Sequence, residues 1–136
     1  MALDWIAVDA MTGYPICDLP GLSIPAIGAA LCGYKTGVGT LPVAAAPGDW
    51  QLATAPWSSY LVLLDDGLPI WGCWVTRRIR SASETVSLSI CTWENYLTRR
   101  YCGDTDYNNR IYTDIASGVV ESFVRPDGPA FLVDVE

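Results

Sequence analysis

The segment from Ser58 to Tyr101 constrains the fold more than any other part of this 136-residue chain. An apolar run, Tyr60–Leu64, precedes the turn sequence Asp65-Asp66-Gly67, and a long stretch rich in aromatic and β-branched residues follows, Leu68–Arg80. Aspartate followed by glycine between two apolar runs is a strong hairpin signal, because glycine adopts positive φ at little cost. The segment therefore predicts two antiparallel strands joined by a tight turn.

The pattern continues after a short polar break at Ser81–Ser83, where we expect a second hairpin. From Glu84 to Thr92 the apolar residues alternate with serines, which is typical of a half-buried strand. The period then changes towards that of a helix between Trp93 and Arg100. The whole segment predicts a β-meander that ends in a short helix.

The rest of the chain predicts further short elements. We expect strands over Leu3–Ala10, Tyr14–Asp18 and Gly33–Val43, helical turns over Gly48–Thr54, a helix over Ile111–Val124 and a strand over Ala130–Val135. Ile24–Leu31 is ambiguous because Pro25 and Gly28 interrupt it. We expect residues 1–103 to form one β-rich domain and residues 104–136 to be a connector or the helix-strand opening of a second unit.

Composition favours an assembly subunit over a free monomer, and a small well-packed β-domain is the alternative interpretation. Hydrophobic residues make up 51% of the chain and charged residues only 17%. The net charge of −7 argues against binding nucleic acid through a basic surface. No apolar run is long enough to span a bilayer, and Asp4 argues against a signal peptide.

Catalytic and metal-binding motifs are missing from the sequence. The chain has no histidine, which excludes Ser-His-Asp and Cys-His mechanisms and removes the commonest metal ligand. Turn chemistry explains Asp65 and Asp66 without a catalytic role, and no glycine cluster has the form of a phosphate-binding loop. We therefore expect a protein that is not an enzyme and that has no catalytic residues, no cofactor and no metal.

Five cysteines occur without any Cys-x-x-Cys spacing: Cys17, Cys32, Cys73, Cys91 and Cys102. Their odd number and spacing argue against a disulfide framework, so we expect all five to be reduced. If Ser81–Ser83 were the whole loop of the second hairpin, Cys73 would lie opposite Cys91.

Tryptophan and arginine supply the candidate contact residues. Most of the six tryptophans should be packed in the core, whereas Trp50 and Trp57 flank a proline-containing loop. Arginine is favoured at interfaces. The interface candidates are Trp50, Trp57, Arg77, Arg78, Arg99 and Arg100. The same tryptophans also allow an alternative, a small β-rich carbohydrate- or ligand-binding module.

Several blocks of the chain resemble minor tail proteins of long-tailed actinobacteriophages. The hairpin from Leu63 to Arg78 carries most of the likeness. It continues in Thr85–Ser89 and Glu94–Tyr101, and the opening blocks Val8–Gly13 and Asp18–Pro20 also match. The likeness covers about Asp4 to Asp104.

This resemblance implies a baseplate hub protein at the tail tip. The implied fold is mainly β, a tail-tube-like β-barrel with one or two short helices. The implied assembly is a homotrimeric ring that continues the tail channel, next to the distal tail protein and the tape-measure protein. DNA would pass through this ring without specific binding. The implied location is the virion, after assembly in the cytoplasm of the bacterial host.

Overall fold

The computed structural model describes residues 3–31 and 33–99, which form a six-stranded antiparallel sheet with two short helices. The strand order is β2-β1-β4-β5-β6-β3. The strands are β1 (Leu3–Asp9), β2 (Pro15–Asp18), β3 (Thr36–Pro42), β4 (Ser59–Asp65), β5 (Leu68–Arg80) and β6 (Thr85–Cys91). The helices are α1 (Trp50–Ala53) and α2 (Glu94–Leu97), and a 3-10 turn covers Val43–Ala45. The predicted mainly β class and the two short helices are confirmed.

The hairpin between β4 and β5 forms where the sequence predicts it. Asp66 and Gly67 have φ values of 48° and 83°, so both central residues of the turn are left-handed. Two consecutive left-handed residues define the type I′ turn, whose twist matches that of the flanking strands. The turn sets Asp65 opposite Leu68, and a bulge between Leu63 and Leu64 then shifts the pairing by one residue, which brings Leu61 opposite Cys73 and Tyr60 opposite Trp74.

The second hairpin differs from the prediction in its register. Its loop includes Glu84, which has a φ of 58°, and Arg80 consequently pairs with Val86. A bulge between Val75 and Arg77 then shifts the pairing by one residue.

As a result Cys91 lies opposite Trp74, and the expectation that it lies opposite Cys73 is wrong. The two cysteines belong to clusters on opposite faces of the sheet, because neighbouring residues of a strand point to opposite sides. Cys17, Cys73 and Cys91 are free thiols, as expected, and Cys32 and Cys102 lie outside the described residues.

One face of the sheet, here called the core face, carries the main hydrophobic core. Val86, Leu88 and Ile90 of β6 point to it and are at most 2% exposed, which confirms the alternation seen in the sequence. The connecting segments before and after β3 cover this face. Their buried or half-buried side chains include Leu19, Leu22, Val43, Trp50 and Ala53. The opposite face, here called the second face, carries a smaller cluster.

The sheet is open, with β2 at one edge and β3 at the other. The predicted barrel therefore stays a prediction. The helix and strand expected within residues 104–136 lie outside the described residues. Across residues 3–31 and 33–99, helices long and apolar enough to cross a membrane are absent.

Candidate functional site

Five aromatic rings meet on the second face. Trp74 stacks on Tyr96 with ring centroids 5.3 Å apart, and it meets Tyr60 and Trp93 edge to face, each at 5.8 Å. Trp57 lies 6.1 Å from Trp74 in a tilted arrangement. The rings pack against one another, so their faces are covered by other rings, and Trp74 is only 1% exposed. This arrangement is a second small core, which anchors α2 to the sheet.

A glycine allows this cluster to lie directly on the sheet. The backbone of Gly72 is buried beneath the indole of Trp93. A β-carbon at this position would overlap Cζ2 of Trp93 and lie 2.8 Å from its Cε2. Only glycine therefore leaves room for the indole in this position.

The aromatic cluster also buries polar groups. Burial, with a smaller contribution from Asp9, raises the pKa of the Tyr60 hydroxyl. The Nε1 atom of Trp74 is buried and has no hydrogen-bond partner in the described part of the chain. The edge-to-face rings of Tyr60 and Trp93 surround this indole. All six tryptophans are buried or half-buried, which confirms that they are packed.

The first pair of interface candidates, Trp50 and Arg78, meets on the core face. The guanidinium carbon of Arg78 lies 5.4 Å from the centre of the Trp50 ring. The same guanidinium donates hydrogen bonds to the carbonyl oxygen of Gln51, at 2.6 Å, and to Oγ1 of Thr54, at 3.1 Å. Arg78 therefore fastens α1 to β5 through directional contacts that only a planar guanidinium supplies.

The second pair, Trp57 and Arg99, meets on the second face. The guanidinium carbon of Arg99 lies 4.1 Å from the centre of the Trp57 ring, a close cation–π contact. Trp57 has a φ of 59°, which is unusual for a bulky residue, and its amide donates a 2.9 Å hydrogen bond to the carbonyl of Val75. This hydrogen bond and the arginine together hold the indole against the sheet.

The six candidates therefore do not form one surface. Trp50 and Arg78 lie on the core face, and Trp57 and Arg99 lie on the second face. Arg77 is exposed on a different part of the second face. Arg100 lies outside the described residues. Four of the six make contacts within the chain. The sequence did not show these contacts because it does not reveal how the strands pair and how the connecting segments pack on them.

The most exposed large apolar side chain of the described residues, that of Leu31, lies in a different segment. Leu19–Tyr34 contains no charged residue, and we name its exposed part, Ser23–Tyr34 without Cys32, the apolar segment. Leu31 is 96% exposed, Tyr34 is 45% exposed and Ile27 is 44% exposed. Proline, glycine and alanine fill much of the remainder. The absence of charge over sixteen positions was the sequence signal for this surface.

Contacts with the sheet hold the apolar segment in place. Ser23 and Thr40 exchange two backbone hydrogen bonds of 2.9 Å. Gly39 allows Ile24 to lie on β3, because a β-carbon at Gly39 would stand 2.9 Å from Cγ1 of Ile24. Further along, Nε1 of Trp71 donates a 3.0 Å hydrogen bond to the carbonyl of Gly28. The segment is therefore presented on a scaffold.

Small-molecule and metal sites are not evident in the described part of the chain. A cavity beside the apolar segment, between Gly28, Lys35, Trp71 and Ile90, has a volume of about 10 Å³ and could hold one water molecule. Groups of three or more Cys, Asp or Glu side chains able to hold a metal ion are absent from residues 3–31 and 33–99. The apolar segment is thus the best candidate for a functional surface.

Comparison of the chain with models of known protein families, with curated proteins and with solved structures finds no match.

Proposed function

We propose that this protein is a structural subunit of a phage tail tip, a baseplate hub component that forms a ring with copies of itself. In this proposal three copies make a tail-tube-like barrel that continues the tail channel. The ring contacts the distal tail protein and the tape-measure protein. The observation that carries the proposal is the apolar segment, in which Leu31 is 96% exposed and Tyr34 and Ile27 are 45% and 44% exposed.

Energetics supports an assembly role. A leucine side chain that is 96% exposed gains on the order of 1.5–3 kcal/mol when a partner buries it fully. Because the segment is already anchored to β3 and β5, little ordering entropy opposes its docking. An anchored, uncharged surface of this kind is typical of a permanent contact.

Electrostatics supports a channel. The net charge of −7 repels phosphate, so DNA could slide past a ring of such chains without binding. The tryptophans are all buried or half-buried, which favours a structural role over a sugar-binding surface built from open indole rings. The likeness of Leu63–Arg78 to tail-tip proteins gives the assembly its proposed identity.

Light scattering after size exclusion tests the assembly. We expect the wild-type chain to elute at three times the mass of one chain, and Leu31→Asp to elute as a folded monomer. Met11→Asp is the matched control, because Met11 is 60% exposed but lies in the turn between β1 and β2. A wild-type monomer at all concentrations would refute the ring. An unchanged mass for Leu31→Asp would refute the role of the apolar segment.

A further inference from the structure

Exposed aliphatic side chains surround a carboxylate at the end of the sheet where β4 turns into β5. Leu3 of β1 and Leu68 of β5 lie on either side of Asp65 in one row of the sheet. They are 53% and 69% exposed, and Ile70, the extra residue at the bulge of β5, is 53% exposed. We call these four residues the hairpin end. Paired residues share a face of the sheet, so Leu3, Asp65 and Leu68 point to the same side.

The hairpin end continues the apolar segment. The link is Trp71 of β5, whose Nε1 atom donates the 3.0 Å hydrogen bond to the carbonyl of Gly28. Leu31 comes three residues after Gly28, and Leu68 comes three residues before Trp71, so each is at most about 11 Å along the chain from this hydrogen bond. The two surfaces therefore form one apolar region that contains the carboxylate of Asp65.

The charge of Asp65 lacks compensation. Its Oδ1 atom is buried and accepts no hydrogen bond in the described part of the chain. A buried carboxylate oxygen without a donor is costly, because it has lost water and gained nothing in return. The residue as a whole is half-buried, so a cation from another molecule can still approach it. Asp4, which pairs with Leu64 beside it, is exposed and adds a second negative charge.

A surface of opposite charge lies at the other end of β5, on the second face. Arg77, Ser89 and Val38 form one row across β5, β6 and β3, and Ile79 and Ser87 belong to the next row. Val38 is 55% exposed, Ile79 is 47% exposed, and Arg77 is exposed as well. We call these five residues the sheet patch. Because the two serines are smaller than the residues on either side, they form the floor of a shallow groove along β6.

The two charges cannot compensate each other within one chain. Leu68, next to Asp65 in its row, and Arg77 are nine residues apart in β5, which corresponds to roughly 25–30 Å. This separation is several times the Debye length of about 8 Å at physiological ionic strength. In a second copy placed head to tail, the same two side chains can meet.

The other arginines on the sheet and α2 fit this role less well. Arg78 is held by Trp50 and the carbonyl of Gln51, and Arg99 is held by Trp57. Arg77 is exposed and lies among exposed aliphatic side chains, as a contact with the hairpin end requires. Apolar area and charge therefore match between the two surfaces of this one chain.

We propose that the hairpin end and the apolar segment of one copy dock on the sheet patch of the next copy, with Asp65 at Arg77 and aliphatic side chains in the groove along β6. This inference rests on the self-association proposed above and identifies the two surfaces that would make it. A contact between two different surfaces repeats from copy to copy, and it closes into a ring when the rotation between copies permits.

Mixing two variants tests the head-to-tail arrangement. Leu68→Asp alters the hairpin end, and Val38→Asp alters the sheet patch. By light scattering after size exclusion, each variant alone should be a monomer, with the circular dichroism spectrum of the wild type. Their equimolar mixture should form a dimer of one copy of each, because it keeps one intact hairpin end and one intact sheet patch. Met11→Asp is the control and should associate as the wild type does.

A mixture that stays monomeric would overturn the proposal, and so would either variant associating alone as strongly as the wild type. The second result would still leave the ring standing, provided that the wild type assembles. A wild type that is monomeric at all concentrations would instead refute self-association itself. If Val38→Asp lowers the free energy of unfolding and leaves association unchanged, the chain's own residues cover the sheet patch and the proposal is wrong.

Neutral variants of nearly the same shape test the charge contact without a risk to folding. Asp65→Asn and Arg77→Gln should each weaken association at least fivefold. The double variant should weaken it at least threefold less than the product of the two single effects, because either change alone breaks the same contact. Arg80→Gln is the matched control and should be additive with Asp65→Asn. Additivity of Asp65→Asn and Arg77→Gln within about twofold would overturn the pairing of Asp65 with Arg77.

Discussion

Gly72→Ala is a sharp test of the packing on the second face. The change adds one methyl group beneath the indole of Trp93, where the new carbon would overlap Cζ2 and lie 2.8 Å from Cε2. Carbon atoms in contact prefer separations of about 3.5–4.0 Å, so the indole must retreat by about 1 Å or more. The obstacle is a rigid ring, which cannot avoid the methyl group by rotating a flexible end.

The cost follows from the contacts of Trp93. Its ring meets Tyr60 edge to face at 4.7 Å and Trp74 at 5.8 Å. Each aromatic pair contributes about 0.5–1.5 kcal/mol, so the loss of both costs roughly 1–3 kcal/mol. Alanine in place of a strand glycine also lowers the conformational entropy of the unfolded chain, which offsets about 0.5–1 kcal/mol of this loss. The free energy of unfolding should therefore fall by roughly 1 kcal/mol, and by at most about 2.5 kcal/mol.

Urea unfolding followed by tryptophan fluorescence measures this change. Gly48→Ala is the matched control, because a β-carbon at Gly48 would have no atom within 4 Å. That control should be neutral or slightly stabilising. In the Gly72→Ala background, Trp93→Phe should cost less than it does in the wild type, because the smaller ring leaves room for the methyl group. A Gly72→Ala protein as stable as Gly48→Ala would refute the close packing of Trp93 on β5.

Three further predictions concern a carboxylate, the thiols and an arginine. Hydrogen bonds from the backbone of Thr12, then of Met11, lower the pKa of Asp9 despite partial desolvation. Asp9→Ala should therefore be less stable than wild type at pH 7, and in urea titrations the difference should begin to shrink near the unfolded-state pKa of about 3.9 and be lost only as the pH falls through the lower pKa of the folded state. Burial, and to a smaller extent nearby Cys91, raise the pKa of the Cys73 thiol. In the native protein iodoacetamide should therefore label Cys17 and spare the buried Cys73. After unfolding without reductant, mass spectrometry should find all five cysteines labelled. Arg78→Ala should lose about 1–2 kcal/mol of unfolding free energy with its hydrogen bonds and cation–π contact, whereas Arg80→Ala should lose little.

Local signals predicted most of the strands. The hairpin at Asp66-Gly67 was predictable because its turn type demands residues that tolerate positive φ. Leu68–Arg80 reads as one uninterrupted β-prone stretch, and β5 has these bounds. The alternation of Val86, Leu88 and Ile90 likewise identified which side of β6 is buried.

The register of the second hairpin was not predictable, because no residue type marks a bulge at Val75–Arg77. That shift and the longer loop decide which residue of β5 lies opposite Cys91. The pairings of Trp50 with Arg78 and of Trp57 with Arg99 were also hidden. They join residues far apart in the sequence and depend on how the segment between β2 and β4 and the helix α2 pack on the sheet.

The apolar segment was visible in the sequence only as a run of residues without charge. Leu19–Tyr34 lacks charge, but Pro25 and Gly28 interrupt any periodic pattern, so the secondary structure of Ile24–Leu31 stayed ambiguous. The structure shows that the segment is irregular, anchored at Ser23 and Gly28, and exposed at Leu31.

The most direct test of the tail-tip proposal is to locate the protein in phage particles. Under this proposal a phage encodes the chain. Purified virions of that phage are analysed by mass spectrometry, and antibodies against the chain are imaged on intact particles by electron microscopy. The account predicts that the chain is a component of the particle and that the antibodies bind only at the distal end of the tail. Absence of the chain from the particles, or antibodies bound at the capsid, would contradict it.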